Sequence, residues 1–228
     1  MPFVTSPHEV VERMLGFAAT GPSDLVADLG SGDGRIVITA AQKFGARGLG
    51  IELDGALVKK SRAAAAAAGV AERVEFVEGN VLTADFSRAS VVTIYLLPGL
   101  MNQLQPRFLE TLQPGTRIVA HAFAMTGWKP DRTESWRVPR AQYNLFLWIV
   151  PAQARGDWQG EGLRLKIAQN FQELDVEVGK VAARAGLNGK AIWWETGELR
   201  FEGTVEGASM PGELTRGGRK TAVTFKKR

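Results

Sequence analysis

Short apolar runs alternate with longer stretches whose apolar residues recur every three or four positions along the first half of the chain. Val10, Val11, Met14, Leu15 and Ala18 share one helical face, as a 3.6-residue period requires. Ser6 ahead of Pro7 predicts a capping hydroxyl followed by proline at the first helical position. The pattern then predicts a strand over 25–29, a helix over 35–43 and a strand over 48–53. An alanine-rich helix over 57–68 follows, ended by Gly69. Strands at 73–77 and 90–95 flank a short connection. A helix from about Leu100 to Leu112 leads through Pro114-Gly115 into a strand over 116–121. Repeated strand–helix alternation predicts an α/β fold with a parallel sheet covered by helices on both faces. Ser135–Val138 and Tyr143–Val150 lie too close together for a helix between them and predict an antiparallel hairpin, with the fold complete by Val150.

From Pro151 the period changes from helical to twofold. Leu163–Ile167, Leu174–Val178, Leu199–Phe201 and Ala222–Phe225 alternate apolar with polar, separated by turns at 160–162, 186–189, Gly207 and Gly217-Gly218. Such alternation predicts an antiparallel meander, and residues 151–228 suffice for a small all-β domain, either a barrel or a curled sheet. The division expected is 1–150 for the α/β domain and 151–228 for a β domain of unassigned role. Gly156-Asp157-Trp158 looks superficially like the entry to a lipocalin-type barrel, a match too short to imply a ligand.

Composition narrows the chemistry. The 228 residues contain no cysteine, which excludes disulfides, thiolate zinc sites and cysteine nucleophiles. His8 and His121 are far apart in sequence, so no metal is expected. The 28 basic and 24 acidic residues leave a net charge of +4. Arg216, Arg219, Lys220, Lys226, Lys227 and Arg228 concentrate basic charge near the end, where a solvated, mobile tail is the expectation and nucleic acid is not an expected partner. Without an apolar run long enough to span a bilayer or a basic and apolar leader at Met1–Val4, a cytoplasmic location is expected.

The densest chemical signal is Val26-Ala27-Asp28-Leu29-Gly30-Ser31-Gly32-Asp33-Gly34, an apolar strand entering a glycine-rich turn with an acid just ahead of it. Dinucleotide sites place pyrophosphate against such a turn. Here Arg35 stands where their third small residue belongs, and Asp28 and Asp33 would repel phosphate. The same acids suit the α-amino and sulfonium cations of S-adenosylmethionine. Further along, Gly50-Ile51-Glu52-Leu53 ends a second strand in an acid placed to accept ribose hydroxyls. Glu78-Gly79-Asn80-Val81 follows a third strand, and Tyr95-Leu96-Leu97-Pro98 follows a fourth.

These four turns resemble those of class I S-adenosylmethionine-dependent methyltransferases, whose seven-strand, Rossmann-like sheet ends in an antiparallel hairpin. Within that class Pro2–Pro7, Asp28–Val37, Gly50–Glu52 and Val91–Pro98 are similar to prokaryotic relatives of the mitochondrial lysine methyltransferases that modify the ATP synthase c subunit and the adenine nucleotide translocator. Thr5-Ser6 with Glu9 more distantly resembles the loop before motif one in non-SET histone lysine methyltransferases. The resemblance covers residues 2–150. It implies that Thr5 closes over the methionine moiety, that Asp28, Gly30, Ser31, Gly32, Asp33 and Gly34 line the cofactor floor, and that Glu52 and Leu53 hold the ribose side. Asn80 and Val81, with Leu82 as the other stacking candidate, would face adenine. Tyr95 and Pro98 would border the acceptor channel, with Phe123, Trp128 and Tyr143 as wall residues and Glu9 as a hydrogen-bond acceptor for the amine. The expected activity is N-methylation of protein lysine. The alternatives are a small-molecule methyltransferase with the β domain as lid, and a cofactor-binding interaction protein without transfer activity. A dehydrogenase ranks last.

Overall fold

The apolar runs of the first half become strands of one sheet, and the periodic stretches become helices packed upon it. The computed structural model describes residues 5–139 and 141–228; Pro2, Phe3 and Val4 of the amino-terminal motif lie outside them. Two compact units divide the chain, Met1–Trp148 and Ile149–Arg228. In the first, chain order runs α1 (His8–Phe17), β1 (Leu25–Leu29), α2 (Arg35–Phe44), β2 (Arg47–Glu52), α3 (Gly55–Ala67), β3 (Val74–Glu78), β4 (Val91–Ile94), α4 (Pro98–Thr111), β5 (Arg117–His121), β6 (Arg132–Val138) and β7 (Ala141–Ile149).

The strands form a seven-stranded sheet in the order β3-β2-β1-β4-β5-β7-β6. Pairings among β3, β2, β1, β4 and β5 are parallel, and β6 with β7 is the antiparallel hairpin. The central strands β1 and β4 are buried almost throughout, as a parallel sheet covered on both faces requires. Strand order reverses between β1 and β4, and ligands of open α/β sheets bind in the crevice beyond the strand carboxyl ends at such a point.

One local expectation fails. Ser6 does not cap α1: Pro7 occupies the cap position and no side chain bonds the helix end. The Ser6 hydroxyl is buried against His121 instead, because a tertiary partner outcompetes the local N–H.

The second unit is a closed eight-stranded antiparallel barrel. Its strands are β8 (Gly156–Gly160), β9 (Leu163–Asn170), β10 (Glu173–Val178), β11 (Val181–Asn188), β12 (Ala191–Thr196), β13 (Leu199–Thr204), β14 (Ser209–Arg216) and β15 (Arg219–Lys227). Strand β8 pairs with both β9 and β15, which closes the ring. The interior is filled by side chains, among them Trp158, Trp194, Phe201, Met210 and Phe225, each at most 1% exposed. Trp194 stacks on Phe201 with centroids 5.7 Å apart, and Phe225 meets Phe201 edge-on at 5.2 Å. Gly203 and Gly212, opposite each other on β13 and β14, leave room for that ring: a Cβ on either would approach Phe201 to 2.5 and 2.6 Å. Large and small residues thus complement one another inside a small barrel.

Two sequence expectations change here. The basic residues near the end are not a mobile tail; Arg216 closes β14 and Arg219–Lys227 is a full strand of the barrel wall. Gly186 is not in a turn but inside β11, where the Trp193 ring lies so close that a Cβ would meet its Nε1 at 2.5 Å. Among the described residues no helix is long and apolar enough to cross a membrane, and no group of His, Asp or Glu side chains is arranged to hold a metal.

Candidate functional site

The crevice at the reversal point is built from four strand ends. After β1 the backbone turns through Gly30, Gly32 and Gly34 at φ of 81°, 55° and 78°, a left-handed path that favours glycine. The Gly30 and Ser31 N–H groups both donate to the Ile51 carbonyl, at 2.9 and 3.0 Å, which fastens this turn to the end of β2. Gly34 also needs its lack of a side chain, since a Cβ there would lie 2.6 Å from Phe76 Cζ.

Asp28, the last residue but one of β1, is 3% exposed and accepts a hydrogen bond from Thr93 Oγ1 on β4 at 2.8 Å. Burial pushes its carboxyl up to about 7; the Thr93 bond opposes this, and the charges of Glu52 and Asp33 add to it. A buried acid poised in this way stays a carboxylate readily only beside a cation. Glu52, at the end of β2, is oriented from both sides. Its Oε2 accepts the Gly32 N–H at 2.9 Å, and its Oε1 accepts those of Leu53 and Asp54 at 2.9 and 3.0 Å. Leu53 itself is 72% exposed. Asp54 turns away and caps α3 through the Ala56 N–H.

Asp33 behaves differently from Asp28. Arg35 forks onto its carboxylate, Nε to Oδ1 at 2.8 Å and Nη2 to Oδ2 at 2.6 Å, and this hydrogen-bonded guanidinium holds Asp33 below the usual carboxylate range. Its charge is therefore already matched within the protein. Arg35, the residue that breaks the dinucleotide pattern, also donates from Nη1 to the Ser6 carbonyl at 2.9 Å. Ser31 contributes backbone; its hydroxyl is buried without a hydrogen-bond partner and points toward Gly50.

After β3, Asn80 is exposed and its Oδ1 accepts the Leu82 N–H at 2.9 Å, so the side chain first shapes its own turn. Val81 is buried at 8%. Arg107 from α4 braces this loop, donating to the Val81 and Ala84 carbonyls at 3.0 and 2.9 Å. After β4, Tyr95 is half-buried against His121, with ring centroids 4.3 Å apart. Leu97 and Phe123, at the ends of adjacent strands, are 54% and 38% exposed. Tyr143 lies 5.8 Å from His121.

One expected wall residue stands elsewhere. Trp128 is 1% exposed and packs on Trp148, whose Nε1 donates to the Trp128 carbonyl; it belongs to the core and walls no channel. Glu9 is exposed in the first turn of α1, where a carboxylate complements the helix dipole. Sequence reasoning missed Thr93, Arg35, Arg107 and His121 as groups that set the crevice geometry. Only Arg35 carried a signal, by interrupting a glycine pattern.

The donor set has a definite chemical preference. One buried carboxylate awaits a cation, and a second offers remaining lone pairs to hydroxyls. Apolar Leu53 and Val81 flank them, and the arginines that reach the crevice, Arg35 and Arg107, are engaged by protein oxygens rather than offered to phosphate. Such a set suits S-adenosylmethionine and disfavours a dinucleotide.

Known proteins bear this out. Residues 28–132 match the family model described as the ANTKMT methyltransferase domain, a span that ends before the barrel. A protein-lysine N-methyltransferase of Saccharolobus islandicus is 36% identical over 151 residues, which are 66% of this chain and 94% of that protein. The mouse lysine N-methyltransferase named for the ATP synthase c subunit is 38% identical over 133 residues, 58% of this chain. The chain spans only about half, 53%, of the mouse protein's length. A crystal structure of an RNA methyltransferase from Salinibacter ruber with S-adenosyl-L-homocysteine superposes with a TM-score of 0.62 at 48% identity, covering 66% of this chain and 95% of that one. With cationic cofactor chemistry, the 3-2-1-4-5-7-6 sheet and relatives matched over nearly their whole length all in agreement, the chain belongs to the class I S-adenosylmethionine-dependent methyltransferases of the ANTKMT family.

Proposed function

We propose that this methyltransferase acts on the ε-amino group of lysine in a protein acceptor, the nitrogen arriving over the ends of β4 and β5. The observation that carries the reading is the apolar and aromatic rim there. Tyr95, Leu97 and Phe123 border it, and the imidazole behind them, His121, is pushed down to about 4 by burial and stays neutral. A protonated amine entering such surroundings loses hydration, which favours its neutral form. Only that form has the lone pair the reaction needs. The names of the Saccharolobus and mouse relatives support the same acceptor.

S-adenosylmethionine supplies a methyl carbon activated by its sulfonium, so the protein's task is alignment and exclusion of water. In this reading Asp28 as a carboxylate pairs with the cofactor's amino group, with Gly30, Ser31, Gly32 and Gly34 forming the floor by backbone. Asp33 acts through Arg35, holding the Thr5-Ser6 segment over the methionine end. Glu52 accepts from the ribose hydroxyls and Leu53 covers the sugar. Asn80 and Val81 border adenine. Tyr95 and Pro98 flank the amine's approach, and the amine's proton leaves to solvent before attack, so no residue is needed as a dedicated base. Glu9, exposed on α1, has no step in this scheme.

The test is incubation of the full chain with tritiated S-adenosylmethionine and separated proteome, RNA and metabolite fractions, beside Asp28→Ala. Label in protein, stable to base and hydroxylamine and absent with Asp28→Ala, is the expected result. A second reading, with RNA as acceptor, is favoured by the name of the Salinibacter relative; ribonuclease-sensitive label would establish it and remove the lysine proposal.

A further inference from the structure

His121 takes no chemical step in methyl transfer, yet it is 4% exposed at the end of β5 and firmly held. Its Nδ1 lies 2.8 Å from Ser6 Oγ, and Tyr95 and Tyr143 pack on its ring. The next residue makes an unusual turn. The Phe123 N–H donates back to the His121 carbonyl at 2.9 Å, with Ala122 at φ 70°. A γ-turn of this hand is rare and strained for a residue with a side chain. It persists because the Ala122 N–H is fixed to the Asn144 carbonyl at 2.8 Å. The turn keeps His121 inward while leaving Phe123 at the rim.

From the other side, Ser6 is 3% exposed and is gripped at two atoms. Its hydroxyl bonds His121, and its carbonyl accepts from Arg35, which Asp33 anchors to the glycine turn. One residue therefore bridges the turn after β1 and the end of β5, strands that flank β4 in the sheet. We propose that His121 is a positioning residue that, through Ser6, latches Thr5–Pro7 at the mouth of the cofactor crevice and so sets cofactor affinity. This inference rests on the crevice being the cofactor site.

The hydrogen bond and the ring make opposite forecasts. His121→Asn keeps a polar atom near the place of Nδ1 but loses the stacked ring; His121→Phe keeps the ring but loses the bond. In the full chain, calorimetry with S-adenosylhomocysteine and ligand-free amide exchange at Val11, whose N–H donates to the Pro7 carbonyl, read the two consequences separately. His121→Phe and Ser6→Ala are expected to speed exchange and weaken binding about fivefold to tenfold, the range of one buried hydrogen bond. The double variant is expected to be no weaker than either single, because both remove the same bond. His121→Asn is expected to stay near wild type in both measurements. Loss in His121→Asn with retention in His121→Phe would reduce His121 to packing and overturn the latch. So would faster exchange without weaker binding, or unchanged exchange in Ser6→Ala. If the wild type itself binds no S-adenosylhomocysteine, the reading of the crevice fails, while exchange still decides whether Ser6 and His121 hold each other.

Discussion

Replacing Asp28 with asparagine should strengthen the ligand-free fold at alkaline pH while crippling cofactor binding. The carboxyl is pushed up to about 7 from an ordinary 3.8, so the native state keeps a proton that the unfolded chain has released. Stability from that proton is fully present below about pH 4 and is lost as pH rises to about 7. A span of roughly three pH units at 1.36 kcal/mol each gives a loss of about 4 kcal/mol as an upper figure. Asparagine cannot ionise and keeps an oxygen for the Thr93 hydroxyl, but its amide hydrogens, buried without a partner, cost about 1–3 kcal/mol. The net expectation at pH 8 is a variant more stable than wild type by about 1–3 kcal/mol, with no such advantage at pH 4. Native-state hydrogen exchange in peptides from β1 and α2 measures this locally. In parallel, wild-type affinity for S-adenosylhomocysteine should rise nearly tenfold per pH unit below 7, where the ligand's amino group is cationic and Asp28 must release its proton to pair with it. A variant less stable than wild type at pH 8, or an affinity flat from pH 5.5 to 7, would refute the argument that Asp28 is a buried acid awaiting a cation.

Glu52→Gln turns an NH2 group toward backbone donors that now meet carboxylate oxygens; a cost of about 1–3 kcal/mol should appear in calorimetry as a tenfold or greater loss of S-adenosylhomocysteine affinity. Arg107→Ala removes the brace on the Val81 and Ala84 carbonyls. Faster amide exchange over 80–84 and a several-fold weaker cofactor affinity are expected, with Asp28-linked pH behaviour unchanged. Phe201→Ala empties the middle of the barrel's aromatic stack and should cost about 3–5 kcal/mol, read as lost exchange protection in β12–β14; full protection there would contradict a core built around that ring.

The parallel sheet was legible because its strands are continuous apolar runs and its helices carry a clean period, as at Val10–Ala18. Glycines 30, 32 and 34 were legible for the same reason that they work: few other residues follow that backbone path. Asp28 and Glu52 were readable from position at strand ends, whereas the difference between free Asp28 and occupied Asp33 was not. That difference depends on which way Arg35 swings, and a side-chain fork leaves no periodic trace. Ser6 illustrates the opposite failure. Its sequence context is that of a helix cap, but a histidine 115 residues away claims the hydroxyl. In the barrel, β11 was hidden because Gly186 reads as a turn residue, while it lies inside the strand and admits the Trp193 ring alongside it.

The pairing of β8 with β15 has a consequence for how this gene tolerates error. A frameshift or premature stop before Arg219 would not merely trim a charged appendage; it would unzip the ring. Both β8 and β14 would then present bare amides and carbonyls, an invitation to pair with a neighbouring chain. Quality control would meet such a product as sticky sheet rather than as a slightly shortened enzyme.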